Sequence, residues 1–304
     1  MVETRTYLFI TGFARSGTTL VANLLGAQPR FTVVSDSHAI PLDIAQGAGG
    51  FHVALSARDR NRALASHKVW LQGELRSSRL APESFGTVGE FYRLTLDEIA
   101  QPDDLVVGHK VTDFGPDTPI FPRILAETDL RCVCVLRDVR DVVLSQSNRL
   151  SGSTTDPARW NAAARRLREL AGHPRLAVIR YEDLVRDPAR ALAHVEKLLG
   201  MPLVTDLDAL TQHGQRWLEN SSFHDVTRLF DARPVERWRA HIVEPVVRFA
   251  AWSCADELAQ WNYAPFPEPF SWRERARFVR ATAVRRTLYA ARPLADSLRR
   301  LRNP

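Results

Sequence analysis

Lysine is almost absent from this 304-residue chain: Lys68, Lys110 and Lys197 stand against 38 arginines. That bias fits GC-rich bacterial coding and says little about chemistry, but it makes each lysine conspicuous. Cysteine is nearly as scarce. Cys132 and Cys134 alternate on one apolar run and Cys254 falls in a helix-like stretch. None has metal-ligand spacing, which argues against a disulfide scaffold or a thiolate metal site and fits a reducing, cytoplasmic setting. No apolar run approaches the ~20 residues of a membrane span. There is no repeat of 20–50 residues and no low-complexity linker. The chain enters a predicted strand by Tyr7, which leaves no room for a signal peptide.

What is present is ordinary globular material. Hydrophobic residues make up 45% of the chain, enough for one α/β domain with a large core or one domain plus an appendage. Strands are predicted near 6–11, 31–35, 105–110, 131–136 and 175–180. Helices are predicted near 18–28, 118–127, 138–149, 158–170 and 188–199. Such alternation implies an α/β fold: a P-loop-like parallel sheet with helices on both faces and ligands beyond the carboxyl ends of the strands. Gly12, Asp36, Lys110, Arg137 and Tyr181 all fall at those ends. Residues 1–265 read as the main domain and 266–304 as a basic amphipathic helical tail. Residues 45–104 read as an insertion, with Gly47-Ala-Gly-Gly50 as a flexible point.

Three segments carry chemistry. The first is Tyr7-Leu-Phe-Ile-Thr-Gly12-Phe-Ala-Arg15-Ser16-Gly17-Thr18-Thr19-Leu20. An apolar strand runs into a Gly-bounded loop and then a helix, whose first N–H groups favour phosphate or sulfate. The spacing Gly12-x-x-x-x-Gly17 matches the start of a P-loop, but Thr18-Thr19 stands where Lys-Ser/Thr would follow, and the cation sits inside the loop at Arg15. The second is Arg131-Cys-Val-Cys-Val-Leu136 followed by Arg137-Asp138-Val-Arg140-Asp141-Val-Val-Leu-Ser145. Arg137 at the strand end can fork onto a phosphate, and Ser145, about two helical turns on, returns to the same side. Arg140 and Asp141 can instead pair with neighbours and hold the loop. The third is Arg180-Tyr181-Glu182-Asp183-Leu184, read as strand end and turn, before a helix from Asp187-Pro188 to Leu199-Gly200.

Together, and in this order, the segments resemble the sulfotransferases that use 3′-phosphoadenosine 5′-phosphosulfate (PAPS), and most closely the tyrosylprotein and carbohydrate branches. The resemblance covers roughly residues 6–262, and it implies that the insertion 45–104 lies on the acceptor side. It implies that Arg15, Ser16, Gly17, Thr18 and Thr19 hold the 5′-phosphosulfate, that Arg137 and Ser145 hold the 3′-phosphate, and that Tyr181 and Arg237 border the nucleotide. It further implies in-line sulfuryl transfer, with 3′-phosphoadenosine 5′-phosphate (PAP) as product and no metal. Lys110 takes the place of a lysine that touches the sulfuryl group. The histidine that serves as base in cytosolic members is replaced by Thr112. The base is then Asp36, laid over a glutamate of the tyrosylprotein pattern, or His38. Near the C-terminal end, Arg237-Trp238-Arg239 and Phe223 either close over the nucleotide or pack in the core.

Charge is uneven. Residues 271–304 hold ten arginines against Glu274 and Asp296, a net +8, in a chain whose total is +6. Two readings stand for this tail: a terminal helix packed on the domain, or a contact with an anionic membrane surface or carrier, which would make the protein peripheral. Nucleic acid is disfavoured because no recognisable module accompanies the charge. The expected partner is a hydroxyl acceptor on a small molecule, glycan or lipid carrier. The alternatives are a P-loop nucleotide or small-molecule kinase and a non-enzymatic nucleotide-binding scaffold.

Overall fold

A computed structural model of the chain describes residues 5–35, 39–73, 77–147, 156–204 and 233–283. At its centre five parallel strands lie in the order β2-β3-β1-β4-β5. They are β1 (Thr6–Gly12), β2 (Phe31–Ser35), β3 (Val106–Lys110), β4 (Arg131–Leu136) and β5 (Leu176–Arg180). All five predicted strands are present within a residue of their expected bounds. β1 and β4 are mostly runs of Val, Leu, Ile, Phe and Cys because both of their faces are covered, and parallel sheets are buried this way. β3 begins with Val106-Val107 and ends in the buried Gly108, His109 and Lys110. Cys132 and Cys134 are core thiols.

Two apolar layers follow. On one face lie α1 (Thr18–Gly26), α8 (Tyr181–Arg186) and α9 (Pro188–Leu199), through Leu20, Val21, Leu24, Leu184, Leu192 and Val195. The opposite face packs against α2 (Ile40–Ala48), α3 (Ala57–Gly73), α4 (Val88–Ile99), α5 (Ile120–Glu127), α6 (Val139–Ser147), α7 (Pro157–Glu169), α10 (Pro245–Ser253) and α11 (Ala255–Gln260). Residues 45–104 contribute to this core through Ala45, Phe51, Phe91 and Tyr92. Gly47-Ala-Gly-Gly50 ends a helix there, with Gly49 at φ 90° capping α2. The 181–186 stretch, read as a turn, is helix α8, and Asp187 serves both as its last cap and as the side-chain cap of α9.

The core contains an imidazole with a measurable signature. His109 lies on β3, buried, its ring edge-on to Phe9 and its Nε2 2.8 Å from the Tyr92 hydroxyl. Burial pushes His109 down from the ordinary 6.5 to about 3. The folded protein therefore keeps it neutral while the unfolded chain protonates it. Its contribution to stability is complete above pH ~6.5 and is lost as pH falls toward 3, by up to about 1.4 kcal/mol per pH unit. Denaturant melts from pH 7 to 4 should show a shallower decline for His109→Gln than for the parent. Parallel curves would place the acid sensitivity elsewhere.

Candidate active site

The site forms where the ends of β1, β3 and β4 meet. Between β1 and α1 the chain makes the loop 12–17, and the sequence shapes it tightly. A side chain at Gly12 would run into the Val135 carbonyl, and Gly17 sits at φ 93° with its open side against the Tyr181 ring. Arg15 is itself left-handed, at φ 68°, a backbone state that non-glycine residues adopt at a cost and that concentrates at ligand-binding loops. α1 starts at Gly17 with no side-chain cap and no acidic residue in its first turn. Its N–H groups and dipole are left to an anion.

Side chains from three other elements close on this loop. Lys110, at the end of β3 and buried, donates from Nζ to Thr19 Oγ1 at 3.3 Å. Arg15 donates from Nε to Ser145 Oγ on α6 at 3.1 Å, so the two anion motifs touch. Arg137 donates to the Arg15 carbonyl at 3.3 Å and to the Pro234 carbonyl at 2.9 Å, and its guanidinium stacks 4.3 Å above the Tyr181 ring. Seven residues singled out from the sequence are thereby gathered: Arg15, Gly17, Thr19, Lys110, Arg137, Ser145 and Tyr181. The Ser16 hydroxyl and the Arg137 Nε–H are buried without a partner. Buried polar atoms are nearly always satisfied. These two, beside an open helix start and three cationic side chains, fit a ligand carrying several anionic oxygens.

The remaining charges of the second motif act as braces, one of the two readings left open by the sequence. Arg140 forks onto Asp138, with Nη2 to Oδ2 at 2.6 Å, and lies 3.7 Å over the Trp238 ring. Asp141 accepts from the backbone N–H of Glu236 at 2.8 Å and of Trp238 at 2.9 Å. Burial pushes its carboxyl up to about 7, against the pull of Arg137. Glu182 accepts from the Asp138 N–H at 2.9 Å and from the Tyr263 hydroxyl at 3.1 Å, and burial raises it too. Trp238 is fully buried, stacked with Phe266, so it is a core residue. Arg237 opens a short 3-10 turn, Arg237–His241, whose neighbours Glu236 and Trp238 are the residues that reach Asp141.

Two residues that tighten the site were not foreseen. The Trp160 indole on α7 donates to the Arg137 carbonyl at 2.9 Å, fixing the strand end from behind. Tyr263 anchors Glu182 and lies under Arg180, 4.5 Å from its guanidinium. Asp36, His38 and Phe223 lie outside the described residues. Ser35, immediately before Asp36, pairs in register with Lys110. Among the described residues no His, Cys, Asp and Glu side chains gather as a metal site would.

No family model matches the chain. Carbohydrate sulfotransferase 1 of Rattus norvegicus is 31% identical over 94 residues, which cover 28% of this chain and 21% of that protein. The chain thus matches about a fifth of the length of its curated relatives. The fold is far more widely shared. The sulfotransferase domain from the curacin biosynthetic pathway aligns over 86% of this chain and 99% of its own, at TM-score 0.54 and 16% identity. The sulfotransferase domain from the Synechococcus PCC 7002 olefin synthase aligns over 86% and 96%, at TM-score 0.56 and 18% identity. The chain thus has the fold of sulfotransferase domains and, over 94 residues, is similar in sequence to a carbohydrate sulfotransferase.

Proposed function

We propose that this protein is an enzyme that transfers the sulfuryl group of PAPS to a hydroxyl of a small-molecule, carbohydrate or lipid-linked acceptor. The contact of Arg15 with Ser145 carries the reading. It joins the loop suited to a 5′-phosphosulfate to the helix suited to a 3′-phosphate, and so specifies a nucleotide charged at both ends. Ser16, Thr18 and the first N–H groups of α1 hold the phosphosulfate oxygens. Arg137 and Ser145 hold the 3′-phosphate, with Tyr181 stacked beneath Arg137. Lys110 and Arg15 meet the charge that builds on the bridging and peripheral oxygens as the acceptor oxygen bonds to sulfur and the sulfur–phosphate oxygen bond breaks. Asp36 receives the acceptor proton, with His38 the alternative base. Ser35, the residue before Asp36 in the sequence, pairs in register with Lys110, which supports the choice of Asp36.

Calorimetry tests the donor. PAP should bind in the presence of EDTA, whereas ATP with Mg²⁺ should bind far more weakly. With PAPS and an acceptor panel, products should gain about 80 daltons and turnover should survive chelation. The chemistry relies on protein cations where a P-loop kinase relies on Mg²⁺. A sharp Mg²⁺ requirement would favour the kinase reading, and PAP binding without turnover on any acceptor would favour the scaffold.

A further inference from the structure

The chain continues past Ser271 as a helix, α12, described over residues 272–283. One side attaches it to the domain. Phe278 is buried, its ring 5.4 Å from both Phe249 and Trp252 on α10 and 6.0 Å from Phe270. Glu274 pairs with Arg248 of α10 and accepts from the Ser271 hydroxyl. At 3.6 residues per turn, Trp272, Ala276, Val279 and Ala283 fall together on the other side. All four are exposed, Trp272 by 73% and Val279 by 58%. Arg275 borders this strip on one flank, and Arg273, Arg277 and Arg280 on the other, all exposed. The helix's one acid, Glu274, is turned inward to Arg248. Among the described residues Trp272 is the sole aromatic among the large, strongly exposed apolar side chains.

We propose that α12 lies in the surface of an anionic lipid leaflet. Its Trp272–Val279 strip enters the headgroup–acyl boundary and its four arginines meet lipid phosphates. A Trp and aliphatic stripe bordered by cations is the pattern of an interfacial helix, and Trp favours that boundary. A nucleic acid or acidic protein would reward the arginines but would leave the strip in water. A second copy of the chain would set arginine against arginine. Packing on the domain and membrane contact are therefore not alternatives, because α12 has a separate face for each. The inference stands independently of the sulfuryl-transfer reading. Where both hold, the transferase works beside lipid-linked hydroxyls.

Co-sedimentation of the full-length protein with phosphatidylcholine vesicles, with and without about 30% phosphatidylglycerol, tests it. Binding should require the anionic lipid and weaken strongly toward roughly 0.5 M salt. Arg273→Gln, Arg275→Gln, Arg277→Gln and Arg280→Gln together should weaken it by roughly 100-fold or more. Trp272→Ser with Val279→Ser should weaken it about tenfold or more, at unchanged net charge. PAP affinity and melting temperature should hold in both variants. If the Trp272/Val279 variant sediments like its parent, the strip does not enter lipid and the proposal fails. Tighter, strip-independent binding to duplex DNA would then name a polyanion as the occupant. A full-length protein that ignores anionic vesicles at low salt would overturn the proposal outright.

Discussion

Arg137→Ala is expected to weaken PAP binding by about 2–4 kcal/mol, the scale for removing one member of a desolvated charge pair. That is roughly 30- to 700-fold in dissociation constant. Binding of 5′-AMP, which lacks the 3′-phosphate, should change little. The asymmetry follows from position. Arg137 leaves β4 with its carbonyl fixed by Trp160 and its plane fixed by Tyr181, and two of its donors are taken by the Arg15 and Pro234 carbonyls. The buried Nε–H is among the donors left, and Ser145 on α6 contacts Arg15 of the loop 12–17. Arg137→Lys should recover only part of the loss, because an ammonium restores charge but not the planar fork. Since Arg137 also ties the loop to residue 234, the melting temperature must be followed in parallel. Equal losses for PAP and 5′-AMP in a folded variant would mean that Arg137 is structural.

The second large effect concerns the base. Asp36→Asn should slow the chemical step by about 10²–10⁴-fold, the range for losing a general base, with PAP affinity nearly unchanged. Single-turnover measurement separates this from product release. Asn keeps the size of Asp and accepts no proton, so the loss should be in rate and not in donor binding. Lys110→Ala should also slow transfer, but by weakening charge stabilisation. Its pH profile should keep the limb set by the base, whereas that of Asp36→Asn should lose it. If Asp36→Asn turns over normally and His38→Ala does not, His38 is the base.

The strands were legible because each carries a short apolar stretch, such as Leu8-Phe9-Ile10 or Cys132-Val133-Cys134-Val135-Leu136, as a sheet covered on both faces favours. The placement of Arg15, Lys110 and Arg137 was legible for a related reason: each sits at or just past a strand end, and parallel strands bring those ends to one edge, while Ser145 follows Arg137 by about two helical turns. What was not legible lies in the tertiary structure. Trp160 follows Arg137 by 23 residues and Tyr263 follows Glu182 by 81, and no local pattern announces that either pair meets. α8 was hidden because Asp187-Pro188 marks a helix start so strongly that the preceding residues read as a turn. One signal was present and unread. Thr87-x-x-Glu90 is a reciprocal cap, with the Glu90 N–H to Thr87 Oγ1 at 3.2 Å and the Thr87 N–H to Glu90 Oε2 at 3.0 Å. It opens α4 in the stretch read as an insertion.

The left-handed backbone at Arg15 sets a limit on how this protein can be improved. Glycine or asparagine would suit φ 68° better, so a screen that rewards heat resistance alone should favour replacing a cation that joins both anion motifs. Thermostable descendants would accumulate changes that strip the loop of its charge. Their gain in melting temperature would then coincide with a collapse in turnover, as in other cases where activity depends on a strained residue.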